Sequence, residues 1–212
     1  MSDFQALNSS VIKGDIQGAV EETRKAIDEG SPIQSILDQG LISAMDEVGA
    51  KFSKGQLFVP QMLRSAKTMQ ECLKLLKPLF KEADVTPKGN IVIGTVKGDL
   101  HDIGKNLVSM MMEGAGFTIV DLGVDVAPEA FAEKAKEAEA DIVAMSALLS
   151  TTMPAMPLTV QALENAGIRD KVKVMIGGAP VTEKYARDIK ADAYASDAGT
   201  AVAEAKKLLG MA

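Results

Sequence analysis

The one side chain suited by its type to switching a proton or binding a transition metal near neutral pH stands in a single short stretch of this chain. His101 is the only histidine among 212 residues, and it stands within Lys97-Gly98-Asp99-Leu100-His101-Asp102-Ile103-Gly104. An imidazole two residues after an aspartate can be held through one ring nitrogen while the other binds a metal or moves a proton. Taken alone, that pattern is weak, so its setting matters. Asn90 to Val96 is a short, β-branched apolar run that reads as a buried strand. The run breaks at Lys97-Gly98, and a helical pattern resumes from about Ile103. The turn therefore lies at the carboxyl end of a strand, where open α/β sheets place their ligands.

The elements around this turn fall into two kinds. Phe4, Leu7, Val11 and Ile12 have helical spacing, and Asp15 can cap a second helix with Ile16, Ala19, Val20 and Ile27 on one face. Gly30 ends it, and Ser31-Pro32 reads as a restart with serine at the N-cap. Ile33, Ile36, Leu37, Leu41, Ala44, Met45 and Val48 then form a stripe, weakened at Gly40 because glycine costs about 1 kcal/mol in a helix interior. Lys54-Gly55 marks a turn, and Pro60 opens a long helix to about Phe80. Helices with short connections predict an antiparallel four-helix bundle over residues 1–81. Residues 82–89 are polar, contain Pro87 and read as a linker and candidate hinge. Over 90–212, strands are expected at 90–96, 117–122, 141–147, 172–177 and 193–196, with helices between and after them. That alternation predicts a five-stranded, doubly wound parallel α/β domain.

Composition narrows the function. A net charge of −6 leaves no basic stripe to displace phosphate counterions, which argues against nucleic acid. One cysteine rules out a disulfide framework and suits a reducing cytosol. Residues 1–20 carry no signal pattern and no apolar run approaches a membrane span, so a cytoplasmic protein without membrane attachment is expected. Without tryptophan, and with 4% aromatic residues, base stacking is a poor candidate for function. The clusters Met110–Met112 and Met145, Met153, Met156 read chiefly as core filler.

The pattern D-x-H-x-x-G, standing as Asp99 to Gly104, resembles the cobalamin-binding signature of the methionine-synthase-like corrinoid proteins. Ser146-Ala147-Leu148 resembles the family's S-x-L, and Gly177-Gly178 its glycine pair. Residues 48–69 look like its helical cap segment. The likeness spans nearly the whole chain and is greatest to the small two-domain corrinoid proteins of methylamine, betaine, methanol and methoxyaromatic methyl transfer. It implies a flavodoxin-like (Rossmann-like) strand order.

The resemblance also implies roles. His101 would be the lower axial ligand of cobalt, displacing the cofactor's own benzimidazole, and Asp99 would hold its other nitrogen. A hydroxyl residue would extend this relay; Thr152 matches, although Ser150 and Thr151 stand beside it. Proton uptake by the Asp99–His101 pair would then track the state of cobalt. Gly98, Asp102, Ile103 and Gly104 would line the cofactor with Ser146, Leu148, Gly177 and Gly178, the small residues leaving a slot for the nucleotide tail. Phe52, Val59 and Met62 match lid positions over the upper corrin face, beside Phe58; as bare sequence, they also read as bundle core. The family function is methyl carriage, not complete catalysis. A substrate-specific methyltransferase would supply the methyl group, a second would pass it to tetrahydrofolate or coenzyme M, and a reductive activase would restore the carrier. The donor stays open, with a lean to methylamines or quaternary amines.

Other readings fit less well. A receiver needs an aspartate where Met145-Ser146 stand, and a flavodoxin needs a Ser/Thr-rich loop where Lys97-Gly98-Asp99 stands. One histidine and one cysteine, in different predicted domains, cannot furnish an ordinary zinc site. The first turn lacks G-x-G-x-x-G, which excludes a standard dinucleotide domain. A cobalamin-dependent sensor is the main alternative, and a mutase subunit a lesser one.

Overall fold

The first helices form because each carries its own start and stop. In this computed structural model, which describes residues 4–80, 83 and 85–211, α1 (Gln5–Lys13) ends at Gly14 and α2 (Ile16–Asp28) starts at Asp15. The Asp15 carboxylate accepts from the Gly18 N–H at 3.1 Å, as an N-cap should. The buried face of α2 differs from the expected one. Ala19, Thr23 and Ala26 face inward, whereas Ile16 is exposed and Val20 and Ile27 are only half-buried. Thr23 is tolerated there because its hydroxyl donates to the Ala19 carbonyl one turn back, at 2.8 Å.

Two further expectations are corrected. Pro32, not Ser31, precedes α3 (Ile33–Ser35); its ψ of 128° keeps the chain extended for one residue more. The next helical stretch is also not uniform. A wider π-helical segment over Ile36–Ile42 joins α3 to α4 (Ser43–Ser53) without a break in helical dihedrals. Gly40 lies inside it, where an added Cβ would come within 2.6 Å of Leu7 Cδ2. The glycine that weakens the helical pattern is thus what lets α1 approach. After the turn at Lys54-Gly55, α5 (Val59–Leu76) runs with Pro60 in its first turn and passes into a short 3-10 turn, Lys77–Leu79. Leu7, Val11, Ile36, Leu41, Met45, Met62, Met69 and Leu76 are buried among these helices.

The described chain divides into two compact units: Met1–Pro87 with Glu113–Gly116, and Lys88–Met112 with Phe117–Ala212. Of the expected linker, positions 82 and 84 lie outside the described residues.

The second unit is a doubly wound α/β layer structure. Its strands are β1 (Asn90–Thr95), β2 (Thr118–Asp121), β3 (Ile142–Ser146), β4 (Lys173–Gly177) and β5 (Ala193–Ala195). All pair in parallel, in the order β2-β1-β3-β4-β5. The intervening and final helices are α6 (Ile103–Gly114), α7 (Pro128–Glu137), α8 (Ala155–Asn165), α9 (Glu183–Asp188) and α10 (Ala198–Leu208). Val92, Val143, Met145, Val174 and Ile176 pack with Phe131, Met156 and Leu163 in one apolar cluster. Ile91, Ile93, Ile142 and Met175, pointing the other way, are equally buried, so both faces are covered as a parallel sheet requires. Because β1 leads outward to β2 on one side while β3 lies on its other side, the strand order reverses beside β1. That is the flavodoxin-like switch point.

Candidate functional site

The register lines up the carboxyl ends of the strands: Thr95 pairs with Ser146, Ser146 with Gly177, and Gly177 with Ala195. Three of the sequence motifs therefore meet along one edge, around the turn after β1. There the chain doubles back at Gly98, whose φ of +84° lies in the left-handed region. The turn delivers Asp99 inward and His101 outward. Asp99 is fully buried, while the imidazole of His101 is 51% exposed.

A buried carboxylate is costly unless every lone pair is used. Here Oδ1 accepts from His101 Nδ1 at 2.7 Å and from the His101 backbone N–H at 3.1 Å. Oδ2 accepts from the Leu148 N–H at 2.8 Å, the Leu149 N–H at 3.3 Å and Thr152 Oγ1 at 2.7 Å. Burial pushes the Asp99 carboxyl up, but the bonds from Thr152, His101 and Leu148 outweigh it and hold it well below the usual carboxylate range. An ionised carboxylate only accepts, so His101 Nδ1 must be the donor. In the neutral imidazole, that places the lone pair on Nε2.

The other residues take distinct places. Of the three hydroxyls at 150–152 it is Thr152 that donates to Asp99, and Leu148 reaches Asp99 through its backbone while its side chain is exposed. Asp102 accepts from the Asn106 side chain at the start of α6, and Ile103 and Gly104 are exposed in that first turn. Gly178 has φ +123°, and a Cβ there would lie 1.9 Å from the Ala147 carbonyl oxygen. Glycine is therefore demanded by the protein's own backbone. Phe52, Val59 and Met62 belong to the helical unit. Phe52 is half-buried at the end of α4, Val59 is exposed beside Phe58, and Met62 is wholly buried.

Three contributors carry no motif. The Thr95 hydroxyl donates to the His101 carbonyl at 2.8 Å, holding the histidine backbone from β1. Lys105, buried on α6, pairs with Asp121 at the end of β2. Asp125 accepts from the Gly98 N–H at 2.8 Å.

The donor set restricts what fits. Among the described residues no group of three or more His, Cys, Asp or Glu side chains could hold a metal ion. One exposed imidazole could offer a metal a single ligand, which would suit a metal that brings its other ligands with it. Fold and site together thus define a doubly wound domain with one partly exposed histidine, held by a buried aspartate, at its switch point. Residues 89–206 match the model of a B12 binding domain, and residues 4–77 match a second model of the same description. Dimethylamine corrinoid protein 1 of Methanosarcina acetivorans is 44% identical over 210 residues, covering 97% of each chain. A cobalamin-binding protein from Desulfitobacterium hafniense superposes with a TM-score of 0.81 at 31% identity, over 97% of this chain and 98% of that one. The methanol:cobalamin methyltransferase complex MtaBC of Methanosarcina barkeri gives 0.87 at 27% identity, over 99% and 80%. The chain belongs to the B12-binding family.

Among the described residues, no helix is long and apolar enough to cross a membrane.

Proposed function

We propose that this protein is a corrinoid methyl carrier in which His101 Nε2 is the lower axial ligand of cobalt. The observation that carries the reading is the buried Asp99 carboxylate bonded to His101 Nδ1 at 2.7 Å, which leaves Nε2 as the free donor. When bound, the corrinoid supplies a metal centre that accepts a methyl group from one molecule and yields it to another. The chain's own part is to hold that centre and tune it. Asp99 orients the imidazole through Nδ1, and Thr152, Leu148 and Leu149 keep Asp99 ionised. Gly98, Asp102, Ile103 and Gly104 border the ligand from the first turn of α6 and the loop before it. Ser146, Leu148, Gly177 and Gly178 flank the path of the nucleotide tail along the sheet edge. Phe52 and Val59 would cover the upper face with Phe58, excluding water, while Met62 is wholly buried core beneath the surface of the helical unit, and the linker over 82–89 would let that cover move aside.

A carrier of this kind needs partners. A methyltransferase loads it, a second one unloads it to tetrahydrofolate or coenzyme M, and a reductive activase rescues oxidised cobalt. The likeness to a dimethylamine corrinoid protein favours a methylamine donor over betaine, methanol or a methoxyaromatic.

The test is reconstitution with hydroxocobalamin, desalting, and Co(II) electron paramagnetic resonance of wild type and His101→Ala. Retained corrinoid with nitrogen coupling that responds to labelled histidine, lost in His101→Ala, is expected. A wild type that retains no corrinoid refutes the reading.

A further inference from the structure

The Asp99 carboxylate is gripped from the β3 side by Leu148, Leu149 and Thr152. Its backbone is gripped from the other side, by a residue in the loop after β2. The N–H of Asp125 donates to the Asp99 carbonyl at 2.9 Å. Asp125 Oδ1 accepts from the Gly98 N–H at 2.8 Å, and the same carboxylate faces Lys97 Nζ at 3.1 Å. One residue thus contacts Lys97, Gly98 and Asp99 in succession. It does so at a φ of +53°, a region that L-residues other than Asn and Asp enter reluctantly. The next residue, Val126, is anchored to β1 by its N–H on the Thr95 carbonyl, at 3.0 Å, so the clamp has a rigid base.

An ordinary surface turn does not require three bonds onto one neighbouring loop. We propose that Asp125 is a positioning residue for the Asp99–His101 pair. By fixing the Lys97–Gly98 peptide before Asp99 and the Asp99–Leu100 peptide after it, it sets the direction in which the carboxylate meets Nδ1, and hence where Nε2 points. The proposal rests on the reading of His101 as an axial ligand and adds a residue that never touches the ligand.

The test uses untagged protein labelled with 15N-histidine, in which His101 gives the only imidazole signals. Wild type is compared with Asp125→Asn and Asp125→Gly. Glycine adopts φ +53° without steric strain, so it removes the carboxylate without forcing the turn. Asparagine accepts the same angle and keeps an oxygen for Gly98. In protein free of corrinoid, exchange of the His101 Nδ1 proton with water should be about tenfold faster in Asp125→Gly, the loss of one net hydrogen bond. Asp125→Asn should match wild type. In the same proteins loaded with cobalamin and reduced to Co(II), the share showing histidine nitrogen coupling should fall in Asp125→Gly alone. Wild-type exchange and coupling in Asp125→Gly overturn the proposal. So does an Asp125→Asn protein as impaired as Asp125→Gly, since the acceptor for Gly98 would then not be what holds the loop. A wild type that binds corrinoid without nitrogen coupling overturns the ligand role of His101 instead, and the exchange rates in corrinoid-free protein then decide the Asp125 proposal by themselves.

Discussion

Thr152 and Asp99 stand 53 positions apart, and the hydroxyl of one donates to the carboxylate of the other at 2.7 Å. The same hydroxyl lies 2.9 Å from the Leu149 carbonyl. It has one proton, which goes to the ionised carboxylate as the stronger acceptor. Thr152→Val keeps the shape and removes that donor. It should cost about 1.5–3 kcal/mol, the worth of a hydrogen bond to a charged group, with Thr152→Ser losing less than half as much. Urea unfolding of the corrinoid-free protein measures both, and equal stability of Thr152→Val and wild type would refute the coupling.

Gly178 makes a sharper prediction. A Cβ placed 1.9 Å from the Ala147 oxygen, at φ +123°, combines backbone strain with overpacking. Gly178→Ala should therefore lose about 3–5 kcal/mol. At Gly177 the nearest obstacle is the Ala195 oxygen at 3.0 Å, so Gly177→Ala should lose only about 1 kcal/mol. Denaturant midpoints compared at constant slope would show the contrast, and similar losses at both positions would contradict it.

Lys105 is buried on α6 opposite Asp121, which also accepts from the Gly123 N–H at 2.9 Å. Breaking a buried pair from one side leaves a charge stranded, whereas removing the buried charge does not. Asp121→Asn should cost about 1–3 kcal/mol, less than a fully buried pair because Asp121 reaches solvent. Lys105→Met should cost less than Asp121→Asn. Thermal unfolding of the two variants checks the order, and the reverse order would show that the ammonium is not isolated from water.

Cys72, buried on α5, offers a test of pH dependence. Burial pushes its thiol up from about 9.0, more than the hydrogen bond with Thr23 pulls it down. With the folded value raised, the thiol favours the native state fully below the unfolded value. Above it, unfolded chains lose the proton first, and stability falls as pH rises toward the folded value. The native thiol should resist a disulfide reagent at pH 8 and react fully in denaturant. The alkaline fall in stability should be shallower in Cys72→Ala. Rapid reaction of the native thiol would contradict its burial.

Much of the architecture was legible before any coordinates. The alternation of apolar runs and helical stripes over 90–212 anticipates every strand of the sheet within a residue or two. The legible part of the site is the part whose members are neighbours in the chain, Asp99 and His101. Choosing among Ser150, Thr151 and Thr152 was beyond sequence, because only the fold decides which hydroxyl turns toward Asp99. The face of α2 was misread for a related reason: Thr23 looks polar, yet its own helix satisfies it.

The sequence by itself determined that there is one imidazole, that it follows a buried strand, and that an aspartate stands two positions before it. These are local facts, set by residue identity and periodicities of a few residues. Only the tertiary structure decided how that aspartate is kept ionised and aimed. Two of its partners are backbone N–H groups of Leu148 and Leu149, which every residue but proline possesses and which leave no mark in a sequence. The other supports, Thr152 and Asp125, come from loops that meet only when β2, β1 and β3 are laid side by side.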